Sequence, residues 1–141
     1  MRLVTGFVTG LGTGLGGLAL VAVVACGPVL AADTEFPFNT ELTLDARPMQ
    51  GSKRLPTLEI GPNGESRIGL WCKTMQAQFS VANDTVIFIP GPLQDPGCPA
   101  GRAAADEALI GALTAATGWK RQGDILTLSG AASLRFRVNT N

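Results

Sequence analysis

The sequence predicts an α+β domain that is mostly β: an antiparallel sheet curled into a partial barrel, with one helix at about 102–117 packed against it. Three observations lead there. From residue 40 onward, segment after segment alternates apolar and polar side chains with the period of two that a half-buried strand requires. Clusters of Gly, Pro, Asn and Asp punctuate those segments where turns belong. One stretch alone, within 102–117, changes to the spacing of an amphipathic helix.

Residues 1–32 read as a targeting segment and stay outside the fold argument. Arg2 is the only charge before Asp33, and the stretch between them is Gly-rich and apolar, densest at Leu18–Ala25. After the Gly27-Pro28 pair, Val29-Leu30-Ala31 offers the small or branched residues that a signal peptidase reads, which places cleavage near Ala31 or Ala32. Two other readings stay open. Val23-Val24-Ala25-Cys26 resembles a lipobox, which would make Cys26 the lipidated first residue of a lipoprotein. The apolar stretch is also long enough to serve as an uncleaved anchor. Export is expected in each case, to the periplasm or the medium, or as a lipid-anchored outer-membrane protein. A membrane is a partner only if Cys26 is lipidated or the N-terminus stays on.

Residues 33–141 are enough for a single domain. Thr40–Ala46 alternates, with Leu42, Leu44 and Ala46 on one face. Leu58 and Ile60 flank Glu59, and Gly61-Pro62-Asn63-Gly64 turns the chain. Ile68, Leu70 and Cys72 then share a face opposite Arg67, Gly69 and Trp71, which points the Cys72 sulfur inward. Met75, Ala77, Phe79 and Val81 alternate against Gln76, Gln78 and Ser80. Beyond Ala82-Asn83-Asp84, the β-branched and aromatic run Thr85–Ile89 suggests burial on both faces.

Pro90–Gly101, with four prolines and three glycines, reads as a loop carrying Cys98. In the helix, Ala105, Leu109, Ala112, Leu113 and Ala116 form the apolar stripe and Ile110 widens it. Asp106 and Glu107 are expected to favour the helix dipole, and Gly118 to end the helix. Trp119–Gln122, Ile125–Ser129 and Ser133–Val138 finish the chain, with Leu134, Phe136 and Val138 inward opposite Arg135 and Arg137.

Cys72 and Cys98 are the only cysteines after the targeting segment, and the chain has no histidine. In an oxidising compartment such a pair reads as a structural disulfide, the plain alternative being two free thiols. The missing imidazole narrows the chemistry. A serine nucleophile would need lysine or a carboxylate as its base, and no Ser-x-x-Lys occurs after residue 32. Asp45, Glu59, Glu65, Asp84 and Asp124 could in principle pair for glycoside hydrolysis, but they stand where solvated strand faces and turns usually place acids. Two cysteines fall short of a zinc site, and the acids lack calcium-loop spacing. No catalytic residue, cofactor or metal is expected. Without Arg2 the chain keeps ten Lys/Arg against eleven Asp/Glu, so the basic excess of a nucleic-acid binder is missing.

The order of elements carries a resemblance. Strands lead to a cysteine, then come a hairpin, a second cysteine in a loop, and a helix reading Asp106-Glu107-Ala108-Leu109-Ile110-Gly111-Ala112-Leu113. The final hairpin reads Gln122-Gly123-Asp124-Ile125-Leu126-Thr127-Leu128-Ser129-Gly130, then Leu134-Arg135-Phe136-Arg137. Over roughly residues 38–138 this resembles the META-domain (HslJ-like, DUF306-like) family of small exported bacterial proteins. The resemblance implies the fold, the cysteine pairing, and a role in envelope stress, secretion or drug tolerance. The family's Gly-Cys-Asn motif is replaced by Trp71-Cys72-Lys73, and its Thr-Met-rich segment by Leu93-Gln94-Asp95-Pro96-Gly97, so no binding residues are carried over.

The expected function is non-catalytic binding through the surface, with an envelope protein or a glycan as partner and the protein a monomer. Candidate surface residues are Trp71, Arg67, Lys73, Trp119, Arg135 and Arg137, within a wider basic set that includes Lys53-Arg54 and Lys120-Arg121. Each tryptophan is expected to be covered by the helix or a loop, the alternative being an exposed tryptophan beside arginines, a common contact for a protein or glycan. The plain alternative is that these cations solvate the sheet and pair with nearby acids. Phe36-Pro37-Phe38 is expected to pack over one end of the sheet. Alternative functions are an inhibitor that presents Pro90–Gly101 to a hydrolase cleft, and a lipocalin-like carrier of a small apolar ligand.

Overall fold

The computed structural model of the protein describes Gly27 and residues 35–140. The chain divides into two units, Met1–Leu30 and Ala31–Asn141, and the fold described below belongs to the second. Cys26 and the cleavage positions Ala31 and Ala32 lie outside the described residues.

Eight antiparallel strands follow one another around a closed barrel, interrupted by one helix. They are β1 (Thr40–Leu44), β2 (Thr57–Ile60), β3 (Glu65–Gly69), β4 (Thr74–Ala82) and β5 (Thr85–Gln94), then helix α1 (Ala100–Thr114), then β6 (Ala116–Gln122), β7 (Ile125–Gly130) and β8 (Ser133–Val138). The expected partial barrel is in fact closed: β8 returns to β1, placing Leu42 opposite Val138 and Leu44 opposite Phe136. Alternation then sends one face of every strand into a common core. One row runs across five strands, Val138–Leu42–Leu58–Ile68–Met75, each residue in register with the next. Leu42, Leu58, Leu70, Leu126 and Leu128 are sealed from solvent. Burying side chains of this kind stabilises by about 1.5–3 kcal/mol apiece.

The two ends of the barrel are closed differently. At one end Phe36 is buried, its ring edge-on to Trp119 at 5.1 Å and 6.1 Å from Phe79, as the Phe36-Pro37-Phe38 reading expects. At the other end α1 buries Asp106, Leu109 and Leu113.

The helix is shifted from its expected bounds. It begins at Ala100 behind Pro99, whose fixed φ suits a helix start, and gives way at Ala115. Ala116 and Gly118 belong to β6, because pairing with Gly130 and Ser129 of β7 overrides the helical spacing of the alanines. The first turn contains no acid, so Asp106 and Glu107 do not serve the dipole as expected.

Three further expectations are corrected. Cys72 is not on a strand: the Leu70 N–H donates to the Lys73 carbonyl at 2.9 Å, closing a tight turn over Trp71 and Cys72. Thr85–Ile89 is buried on one face only, with Val86 and Phe88 inside and Ile87 and Ile89 62% and 51% exposed. The supposed loop is largely strand, since β5 continues through Pro90, Gly91 and Pro92 to Gln94 alongside β4. It can do so because a register shift between Met75 and Ala77 lets Gly91 approach the Gln76 carbonyl, which a Cβ there would meet at 2.7 Å. Prolines are tolerated because the opposite edge of β5 meets β6 only at Thr85–Gly118.

Candidate functional site

The β3–β4 turn gathers four of the residues that the sequence singles out, and it builds a fastening rather than a contact surface. Cys72 is joined to Cys98 by a disulfide with Cα atoms 6.0 Å apart, which ties the turn to the five-residue loop after β5. Lys73 is only 8% exposed, and its ammonium group pairs with Asp95 at 3.3 Å. The Gly97 N–H, and after it the Lys73 side chain, hold the Asp95 carboxyl below its usual range. From α1 the fully buried Asp106 accepts the N–H of Lys73 at 2.9 Å and that of Cys72 at 3.3 Å. Trp71 is half-buried and packed against the core.

Lys73 and Trp71 therefore leave the candidate binding surface. A buried ammonium needs a partner and finds one in Asp95, and the tight turn folds the indole back onto the barrel. Trp119 leaves that surface too, covered as expected. It stands opposite the sealed Leu128, so it points inward, against Phe36, and its indole N–H donates to the Asn83 carbonyl at 2.8 Å.

The cations that remain separate into two places. Arg67 is exposed on β3, opposite Glu59 on one side and Gln76 on the other. Arg135 and Arg137 lie three strands away, side by side on the outer face of β8, with side chains 59% and 64% exposed. Cross-strand register adds to them: Arg135 stands opposite Thr127, and Thr127 opposite Lys120. Arg137 stands opposite Ile125 on one side and Thr43 on the other. Asp45, just past β1, is shared by the two guanidinium groups at 3.8 and 3.5 Å. A shallow depression of about 440 Å³ lies over this face, lined by Lys120, Gln122, Ile125, Thr127, Ser133 and Arg135.

This outer face of β6, β7 and β8 is the candidate site. It sets Lys120 in one row with Arg135, which shares a single acid with Arg137, an arrangement suited to holding an anion. Among the described residues no three His, Cys, Asp or Glu side chains converge as metal ligands. The sequence signal for the site was present, since Lys120, Arg135 and Arg137 occupy outward strand positions, but only the register brings them together. Asp45 as the counter-ion shared by Arg135 and Arg137, and Asp106 as the anchor of the turn, were missed.

No family model and no curated protein matches the chain. An NMR structure is similar in fold, with a TM-score of 0.55 and 14% identity over 71% of this chain and 89% of its own. At that identity the likeness speaks for the barrel and its helix alone.

Proposed function

We propose that the protein is an exported, non-catalytic envelope domain of META type that works by binding through its outer surface. The observation that supports this best is the filled interior. Inward side chains from the strands occupy the barrel, with Phe79, Phe136, Leu42, Ile68 and Leu126 each at most 2% exposed. An eight-stranded barrel packed in this way has no room for a carried ligand, which leaves recognition to the outer face. The disulfide agrees with an oxidising compartment. Among the described residues no helix is long and apolar enough to cross a membrane.

The test is a pull-down from envelope extract with the wild-type domain and with a variant altered at Arg135 and Arg137. A partner retained by the first and lost by the second supports surface binding. Native mass spectrometry after incubation with lipid extract checks the carrier alternative, and a stoichiometric apolar adduct would overturn the present reading.

A further inference from the structure

We propose that the outer face of β6–β8 binds a carboxylated polysaccharide, of the uronate type, through Lys120, Arg135 and Arg137. The inference rests on the surface-binding reading and gives it a ligand class. The three cations are arranged by register, not by chance of side-chain reach: Lys120, Thr127 and Arg135 form one row across three strands, and Arg137 lies two residues along β8. At the usual strand spacing, Lys120 and Arg135 are about 10 Å apart and Arg135 and Arg137 about 7 Å. That spread suits a chain of repeated anions better than a single small one.

Asp45 shows the kind of anion that the arginine pair takes: its carboxylate bridges the two guanidinium groups at 3.8 and 3.5 Å. Both arginine side chains are more than half exposed, so a ligand carboxylate can reach them from outside. Lys120 has no acidic partner among the described residues. The rest of the face is hydroxyl and amide, with Ile125 as the one apolar residue lining the depression, and it is half-buried. Protein partners usually require a desolvated aromatic or aliphatic anchor, which this face lacks. A polyhydroxylated anion needs hydrogen-bonding groups and cations, which it has.

The test is calorimetric titration of the folded domain with a hexuronate oligosaccharide, its neutral counterpart and an acidic peptide, each at low and high salt. The hexuronate should bind, should weaken as salt rises, and should exceed both controls. Arg135→Gln together with Arg137→Gln should lower its affinity at least about tenfold, the loss expected when charged hydrogen bonds are removed. Asp45→Asn should raise affinity, because it frees both guanidinium groups, whereas a purely structural Asp45 would give no gain. Thermal melts of the variants should stay within about 3 °C of wild type, as surface substitutions usually do. No hexuronate binding, equal binding of the double-Gln variant, or a weaker Asp45→Asn variant would each overturn the proposal. Equal or tighter binding of the acidic peptide would overturn it in favour of a protein partner. If the double-Gln variant loses an envelope partner while hexuronate never binds, the glycan inference falls and the surface-binding reading stands.

Discussion

The carboxylate of Asp106, buried in the middle of α1, accepts the backbone N–H of Lys73 at 2.9 Å, and that bond joins the helix to a turn 33 residues earlier. Cys72 donates to the same carboxylate. Asp106→Ala would leave both amides without an acceptor, at about 1–3 kcal/mol for each buried donor. The variant should melt at least about 10 °C below wild type, given the usual sensitivity of a domain of this size. Asp106→Asn keeps a carbonyl acceptor and should lose clearly less.

The same turn is also held by the disulfide, through Cys72. Intact mass without reductant should show Cys72 and Cys98 closed to alkylation, and reduction should open both. The bond spans a separation of 26 residues, for which the chain-entropy estimate is about 3.5 kcal/mol. Because Asp106 and the Lys73–Asp95 pair still anchor the turn, the reduced domain should stay folded and melt cooperatively at a lower temperature. Loss of the cooperative transition on reduction would show that these contacts cannot act alone.

Asp95 predicts a pH dependence. Its folded pKa lies below the ordinary carboxylate value, so it contributes stability that is fully present above its unfolded pKa and is lost as pH falls through the folded one. Stability should therefore decline below about pH 4, the ordinary carboxylate range. In Asp95→Asn this part of the decline should disappear, which Tm measured from neutral to strongly acidic pH would reveal.

Phe136 and Trp71 separate core from cover. Phe136→Ala removes a side chain only 2% exposed and should cost about 3–5 kcal/mol. Trp71 packs on the core while half-buried, so Trp71→Ala should cost roughly 1–3 kcal/mol. A Trp71→Ala variant with unaltered Tm would return the indole to the list of surface contacts.

Processing can be read directly from the full chain expressed with residues 1–32 in place. The mature N-terminus is expected at or just after Ala32, by mass or N-terminal sequencing. Incorporation of labelled palmitate that Cys26→Ser abolishes would establish lipoprotein maturation instead.

The strands were legible where their alternation is uninterrupted: Leu126 and Leu128, or Phe136 and Val138, have no other way to leave water together. Closure of the barrel was not legible, since pairing of β1 with β8 depends on curvature that no local pattern records. Ile87 and Ile89 misled because β-branched residues signal a strand but not what covers its outer side. The direction of Trp119 is set by Leu128 on the next strand, not by its neighbours in the chain. Asp106 carried a signal in plain view. It stands three residues before Leu109 and seven before Leu113, on the buried stripe of α1, where an acid must have a partner. The basic face was half legible: its cations alternate outward, while the convergence of Arg135 and Arg137 on Asp45 comes from register and from a chain segment about 90 residues away.

The pairing of β1 with β8 means that the first strand of the barrel must wait for the last. Leu42 finds Val138, and Leu44 finds Phe136, only after every residue between them has been synthesised. Contacts of such long sequence separation are paid for in loop entropy before they return any stability, which slows folding. A nascent chain lacking Ser133–Val138 would expose two strand edges, those of β1 and β7, with the core open between them. Completion of this domain is therefore a single late event, and a truncation of only a few residues within β8 should yield an aggregation-prone chain rather than a slightly weaker fold.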